Sequence, residues 1–229
     1  MIESSITTNR MDTSNIFEKE LDLRCQFNIL TRPNGSVIYC EGETTVIAGI
    51  YGPVNCKMSK MLSDKAYIEM NYRPKAGVPS VQDRFYEDII KNTCETALAG
   101  ALYPRASVII TVQEMHDDGQ LISCAINAAC LACLDSGIDM RFIFASISCF
   151  LTKDGNLHLE TPNSKNDIQA VFVFVFDSVK GDVIVSHTEG VYSIDNYKQG
   201  LKISREGSKQ VFKFMEQEMA RRMKQENTS

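Results

Sequence analysis

The residues that could do chemistry in this chain are scattered. The histidines, His116, His158 and His187, have no partner at the spacing of metal ligands, so each is interpreted as a strand residue. Cys130 and Cys133 form a C-x-x-C pair, but no second cysteine pair or histidine pair stands at zinc spacing. Because both lie in an apolar stretch, the sequence predicts core packing for them instead of metal or redox chemistry. The short motifs of P-loop nucleotide sites, zinc peptidases and serine hydrolases do not occur.

The best candidate for anion binding is the start of an apolar segment. A turn containing Gly119 precedes residues 121–134, which are mainly Ala, Cys, Leu and Ile. The free N–H groups at such a helix start suit a phosphate, and Ser123 could add a hydroxyl. Asp117 and Asp118 place negative charge at the same turn, so simple capping of a packing helix is the alternative that these residues favour.

Residues 121–134 predict a buried helix around which the other elements are arranged. The segment is apolar on every side but shorter than the about 20 residues of a membrane span. Alternating or apolar runs predict strands at 27–30, 37–39, 44–51, 67–72, 107–115, 142–151, 156–159, 170–176 and 183–186, with helices over 81–101 and from about 196. Because the strands cluster in meanders, the sequence predicts an α+β fold with mixed sheets.

Two turn signals refine this prediction. Asn34-Gly35 indicates a hairpin, and Ser80 with Asp83 indicates a capping box at the start of the first long helix, which Pro104 would end. The two halves repeat a hairpin, an apolar strand and a long helix, so one domain is predicted over 16–229. Residues 1–15 are polar and are predicted to be a disordered extension, with Met11 an alternative start.

Composition sets the cellular context. The 229 residues carry a net charge of −5, which is not the footprint of a general nucleic-acid binder, although a local basic patch can still bind. The first 15 residues lack the apolar run of a secretory signal, so we expect a cytosolic or nuclear protein with reduced thiols and no membrane association.

Five segments together resemble the RNase PH family. They are RPNGS (32–36), GETTVIAGIYGPV (42–54), YRPKAGVPSV (72–81), the 116–138 segment and FDSVKGDVIVSHTEGVYS (176–193). The similarity spans about residues 20 to 225 and is greatest to the RRP46-type branch, the non-catalytic RNase PH-like ring subunits of the eukaryotic RNA exosome. It implies the RNase PH fold with a duplicated β-α core, ring assembly from dimers and an ancestry in phosphate-dependent shortening of RNA 3′ ends.

The resemblance also implies a degenerate phosphate site. Active members begin the central helix with Gly-Gly-Thr-Arg-Thr-Ala-Ser, where Leu121, Ile122 and Ser123 of this chain replace Thr-Arg-Thr. A second phosphate-binding arginine of the family falls at about Gln82. Phosphate would therefore lack cationic partners. This loss matters because hydrogen bonds to charged groups are stronger than those between neutral groups.

The catalytic carboxylate pair of the family falls near Glu160 and Asp167, with the alignment of Asp167 left open. Two carboxylates could hold Mg²⁺ and activate water, but a remnant without function is the favoured interpretation of Glu160. No cofactor or metal is therefore expected, with Mg²⁺ bound only if Glu160 is active.

Nucleic acid is expected at Arg73, Lys75 and Arg84, because segment 74–79 flanks the RNA path in active members. A solvated loop with ordinary surface charge is the alternative.

The leading functional hypothesis is an exosome ring subunit that is structural and binds nucleic acid in 3′-5′ RNA processing and degradation, without phosphorolysis. One alternative is a stand-alone homodimer that binds RNA or DNA and assists another nuclease. Another is a residual metal-dependent nuclease that uses Glu160. The implied partners are other RNase PH-like subunits, cap proteins, RNA and possibly DNA, with a homodimer when isolated; the implied locations are nucleus, nucleolus and cytoplasm.

Overall fold

Two β-sheets and the helices between and beside them form the fold. The computed structural model describes residues 21–162 and 167–226, and at residue 226 the backbone alone. The first sheet contains β1 (Leu23–Phe27), β2 (Gly35–Glu41), β3 (Thr44–Asn55), β4 (Tyr67–Arg73) and β5 (Ala106–His116), in the order β1-β2-β3-β5-β4. The second contains β6 (Phe144–Thr152), β7 (Leu157–His158), β8 (Ile168–Asp177) and β9 (Val183–Gly190), in the order β7-β6-β8-β9. The helices are α1 (Val81–Ala97), α2 (Leu121–Ser136) and α3 (Ile194–Glu226), with a short 3-10 turn at Gly100–Leu102.

The α+β class is confirmed, and the sheets differ in strand direction. In the first sheet β4 runs parallel to β5, because α1 carries the chain back across the sheet between them. The other pairings of that sheet, and those of the second, are antiparallel. Short connections join most of these antiparallel pairs, as in a meander, whereas β3 and β5 pair across the segment that contains β4 and α1.

Helix α2 is buried between the sheets, as its composition predicts. Every residue from Leu121 to Cys133 is buried, and α2 packs against β2 and β3 on one side and β6 on the other. It ends at Gly137, whose φ of 70° is the left-handed conformation that glycine adopts without strain. Cys130 and Cys133 are fully buried, which agrees with their predicted role in core packing.

The Asn34-Gly35 signal does not mark a tight hairpin turn. Strands β1 and β2 do pair, with Phe27 opposite Val37, but a longer loop over 28–34 joins them. Gly35 is needed for another reason, since a Cβ atom there would clash with the backbone N of Ser136 at the end of α2. The two-residue turn of this sheet is Gly42-Glu43, between β2 and β3.

Helix α1 begins as predicted and ends early. The Ser80 hydroxyl accepts from the Asp83 amide (3.3 Å), and the Asp83 carboxylate accepts from the Ser80 amide (2.6 Å), which is the capping box. The predicted extension to residue 101 is wrong. Leu98 leaves the helix with ψ of 142° and forms a β-bridge with Met140, so this tertiary pairing, and not Pro104, ends α1.

Helix α3 covers the second sheet. Its buried residues Ser204, Ser208, Val211 and Met215 lie on the face predicted from their spacing, and the helix packs on β6 and β8. Among the described residues, no helix has both the length and the apolar character needed to cross a bilayer. The predicted extension of residues 1–15 lies outside the described residues.

Candidate functional site

The start of α2 opens into an acidic cleft. The cleft has a volume of about 200 Å³ and is lined by Leu21, Asp22, Glu41, Gly42, Glu43, Asp118, Gln120, Glu160 and Thr161. Among the lining residues that the structure describes, five carry a carboxyl group and none is Lys, Arg or His. The partial positive charge of a helix N-terminus is about half an elementary charge, so the carboxylates dominate the local field. This lining disfavours a phosphate.

The residues at the predicted phosphate site point into the protein. Leu121 and Ile122 are buried, with 9% and 8% of their surfaces exposed, and Ser123 is fully buried. The Ser123 hydroxyl lies 3.0 Å from the Gln120 carbonyl oxygen and accepts from the Ser148 hydroxyl at 2.9 Å. Ser123 is therefore part of an internal network.

Glu41, the last residue of β2, belongs to the same network and was missed from the sequence. Only 4% of the surface of this residue is exposed, and its carboxyl group lies 3.5 Å from the Ser123 hydroxyl. Burial raises the pKa of Glu41 to about 8, and hydrogen bonds from Asn127 and Ser123 act in the opposite direction. The side chain is therefore mostly protonated at neutral pH. No sequence signal distinguishes it from exposed Glu43, because the two flank the same glycine.

Asn127 continues this network across the protein. Its side chain bonds the backbone of Ser146 in β6 twice, accepting from the amide at 2.7 Å and donating to the carbonyl at 2.9 Å. It also donates to the hydroxyl of buried Tyr39 in β2 at 3.4 Å. Burial, followed by the proximity of Glu41, raises the pKa of Tyr39. The polar side chains of α2 thus join the two sheets.

Gln82 is not among the residues that line the acidic cleft. It is exposed on the first turn of α1 and donates from Nε2 to the Tyr86 hydroxyl at 2.6 Å. Burial is the main cause that raises the pKa of Tyr86, and the nearby carboxylate of Glu189 is the second. At this second predicted phosphate position, the neighbours of Gln82 are therefore aromatic and acidic groups.

The candidate catalytic carboxylates occupy different surroundings. Glu160 lines the acidic cleft, whereas exposed Asp167 precedes β8 and accepts from the Lys153 amide through its backbone carbonyl (2.9 Å). The residues between Thr161-Pro162 and Asp167 lie outside the described part of the chain. Within residues 21–162 and 167–226, no group of three or more His, Cys, Asp or Glu side chains is placed to hold a metal ion.

The predicted nucleic-acid contacts lie at the end of β4 and the start of α1; we call Arg73, Lys75 and Arg84 the basic loop. All three side chains are exposed, and Arg84 forms an ion pair with Glu87 at 3.2 Å. In the described residues Arg73 and Lys75 have no ion-pair partner. A hydrogen bond from Gln113 Nε2 to the Pro74 carbonyl (3.0 Å) fixes the loop to β5.

The histidines lie on strands, as predicted. His116 ends β5, His158 lies in β7 and His187 lies in β9. His187 Nε2 is 3.0 Å from Glu189 Oε1, and its ring centroid is 5.1 Å from that of Phe85. This pairing brings β9 to the first turn of α1.

Comparison with known proteins identifies the family. The model of the RNase PH family, described as the 3′ exoribonuclease family, domain 1, matches residues 21–139. A relative from Arabidopsis thaliana, an exosome complex exonuclease RRP46 homologue, is 32% identical over 193 residues, which cover 76% of this chain and 81% of the relative.

Solved structures agree with this match. The crystal structure of rice (Oryza sativa) Rrp46 superposes with a TM-score of 0.81 at 27% identity, covering 86% of this chain and 94% of the rice chain. A chain of an archaeal exosome core superposes with a TM-score of 0.75 at 13% identity, covering 87% and 88%, and this likeness concerns the fold alone. The chain belongs to the RNase PH family, as shown by the matched segment, the similarity to the RRP46 homologue and the shared arrangement of sheets and helices.

Proposed function

We propose that this chain is a ring subunit of an RNA exosome, where it binds RNA during 3′-5′ processing and degradation without phosphorolysis of its own. The names of the Arabidopsis relative and of a rice relative, both exosome complex exonuclease RRP46 homologues, support the assembly. The observation that carries the loss of activity is the start of α2, where the lining residues within 21–162 and 167–226 include five carboxyl side chains and no cationic one. The proposal thus departs from the word exonuclease in the name of the Arabidopsis relative.

The loss of activity has a physical reason. Phosphorolysis requires inorganic phosphate to be held as the attacking group, and anions are held by cations and free N–H donors. Here Leu121 and Ile122 are buried, Ser123 bonds within the protein and Gln82 bonds Tyr86. A phosphate ion would meet few donors and several negative charges.

A phosphate-dependence assay tests this proposal. Purified protein is incubated with labelled single-stranded RNA in the presence and absence of inorganic phosphate, and nucleoside diphosphates are separated and counted. We expect none above background. Release of nucleoside diphosphate that requires phosphate and is lost in Glu160→Gln would overturn the proposal, whereas release that persists in Glu160→Gln points to a contaminant.

Assembly is supported by an exposed edge. β9 is the outer strand of the second sheet, and exposed apolar side chains lie along it and after it: Val183, Val191 and Ile194, with 36%, 75% and 74% of their surfaces exposed. Unpaired strand edges with apolar side chains are normally covered by a partner. We propose other RNase PH-like ring subunits as partners, with cap proteins bound to the ring.

The same edge favours a second candidate, a stand-alone homodimer that binds RNA or DNA and assists another nuclease. Mass in solution and co-purifying proteins distinguish the two, since the ring proposal requires sister subunits in the purified complex. A monomer at micromolar concentration in both preparations would contradict both. For either assembly we propose the nucleus, nucleolus and cytoplasm as the sites of action.

RNA contact is proposed at the basic loop. Arg73 and Lys75 are exposed beside an anchored turn, and Arg84 lies on the following helix. Lysine and arginine contacts to phosphates supply most of the affinity for unstructured RNA, independent of sequence. A residual nuclease that uses Glu160 and Mg²⁺ is the third candidate, and its only support is the carboxylates of the acidic cleft.

A further inference from the structure

Phe85 is an exposed aromatic side chain in a helix whose other large apolar residues are mostly covered. It lies on the first turns of α1, with 46% of its surface exposed, whereas Ile89, Ile90 and Cys94 of the same helix are buried. Burying a phenylalanine ring stabilises a protein, and this position realises that stabilisation only in part. The half-open ring is therefore available to a ligand.

The ring of Phe85 is held in place from one side. The imidazole of His187 meets it at a centroid distance of 5.1 Å and an angle of 61°, which is an edge contact. His187 is itself fixed, because its Nε2 lies 3.0 Å from Glu189 Oε1. A ring oriented in this way loses little freedom when a flat partner packs on its open part.

Exposed cationic side chains precede this ring in the chain. Arg84 is its neighbour in sequence, with 65% of its side chain exposed, and the loop that carries Arg73 and Lys75 leads directly into α1. The basic loop is therefore the exposed cationic group nearest to Phe85 on the N-terminal side of the chain.

The nearby carboxylates are engaged within the protein. Asp83 caps the helix at the Ser80 amide (2.6 Å), and Glu87 accepts from the Tyr72 amide (3.0 Å) as well as from Arg84. Glu189 is paired with His187. These three carboxylates thus have internal partners, exposed Asp88 lies three residues after Phe85, and Arg73 and Lys75 have no partner among the described ion pairs.

We propose that Phe85 is a stacking site for an unpaired nucleobase of single-stranded RNA, whose phosphates are held by the basic loop. The inference rests on the proposed RNA-binding function and adds the residue that holds a base. An exposed ring beside cations is the arrangement that single-strand binding proteins use, since every base has a flat face and every linkage a negative charge.

A protein partner is the competing occupant of this surface. Val81 lies one helical turn before Phe85 and is 89% exposed, so an apolar contact with a protein would use both side chains. Stacking of a base requires the ring of Phe85 alone. A substitution of Val81 therefore distinguishes a nucleobase from a protein partner.

The experiment compares the full chain with Phe85→Leu, Phe85→Tyr and Val81→Ser. The probe is a single-stranded RNA that carries 2-aminopurine, whose fluorescence falls when it stacks. We expect Phe85→Leu to bind roughly 5- to 100-fold more weakly and to lose the quenching, because one stacked base contributes that much. Phe85→Tyr should retain both affinity and quenching, and Val81→Ser should bind within about twofold of the wild type.

Salt dependence separates this site from the basic loop. Stacking releases no counterions, so the slope of log K against log salt should be the same in Phe85→Leu and the wild type. Equal RNA affinity and quenching in Phe85→Leu, with a normal salt slope, would overturn the stacking site and leave the proposed function intact. Absence of RNA binding by the wild type would instead overturn the proposed function. Equal losses in Phe85→Leu and Val81→Ser, with a changed mass in solution, would assign the surface to a protein partner.

Discussion

The starts of α2 and α1 correspond to the two phosphate-binding positions that the family resemblance implies, and they differ sharply. At α2, five carboxyl side chains line a cleft of about 200 Å³. At α1, the exposed basic loop precedes half-exposed Phe85 in the chain, and the carboxylates of Asp83, Glu87 and Glu189 have internal partners. Both are helix N-termini with free backbone N–H groups. The side chains around them therefore decide the sign of the local electrostatic field. A helix terminus alone does not make an anion site.

The two regions also differ in what their polar groups do. Around the start of α2 the polar side chains bond inward, with Ser123, Asn127 and Glu41 forming a network between the sheets. Around the start of α1 the cations remain exposed. The polar groups at the start of α2 belong to the core, whereas the cations at the start of α1 lie at the surface where we propose that RNA binds.

The largest expected effect comes from Glu41→Gln. This substitution tests whether the buried carboxyl group at the start of α2 is protonated in the folded protein. The pKa of Glu41 is about 8 in the folded chain and lies near its ordinary value of 4.5 when unfolded. Between these values the unfolded state releases a proton that the folded state keeps, so this group lowers stability as pH rises from about 5 to 8. The substitution should raise the free energy of unfolding at pH 8 by a few kcal/mol, on the order of the full pKa shift.

Urea unfolding at pH 5, 6, 7 and 8 measures this effect. The wild type should lose stability across the series relative to Glu41→Gln, and the two should converge at the acidic end. Glu43→Gln is the matched control, since Glu43 is exposed across the same turn. Parallel pH curves for the wild type and Glu41→Gln would show that Glu41 is ionised in the folded protein.

A charge reversal in the basic loop tests whether the start of α1 binds RNA. Arg73→Glu with Lys75→Glu should lower affinity for single-stranded RNA by about tenfold at low salt and reduce the salt slope by about 1.4, or about 0.7 for each lost phosphate contact. Fluorescence anisotropy over a salt series gives both quantities.

The control for this reversal is Lys180→Glu with Lys213→Glu, which makes the same change in net charge. Lys180 is in the turn between β8 and β9 and Lys213 is on α3, and both are exposed. Equal losses in the two double variants would mean that net charge, and not the basic loop, governs binding.

The smallest effect is expected for Mg²⁺ at the acidic cleft. Among the described residues no set of three ligands is arranged for a metal, and carboxylates that are not arranged around an ion bind Mg²⁺ weakly. Millimolar Mg²⁺ should shift the thermal midpoint by less than about 1 °C, and equally in Glu160→Gln. A larger shift in the wild type that disappears in Glu160→Gln would identify a metal site and revive the nuclease alternative.

The sequence determined the elements whose signals are local. The all-round apolar composition of residues 121–134 predicted buried α2, and the pair Ser80 and Asp83 predicted the start of α1. The replacement of cationic residues at Gln82 and Ile122 was inferred from the resemblance to the RNase PH family, which supplies the positions to compare. Local periodicity and side-chain chemistry are sufficient for such predictions.

Only the tertiary structure decided which of two similar residues is buried. Glu41 and Glu43 flank one glycine, yet only Glu41 lies under α2, where it bonds Ser123. Likewise, Leu98 ends α1 because Met140 pairs with it from a distant segment. Solvation and pairing of this kind arise when the layers close on one another, since the groups involved are tens of residues apart in the chain and no local pattern contains both.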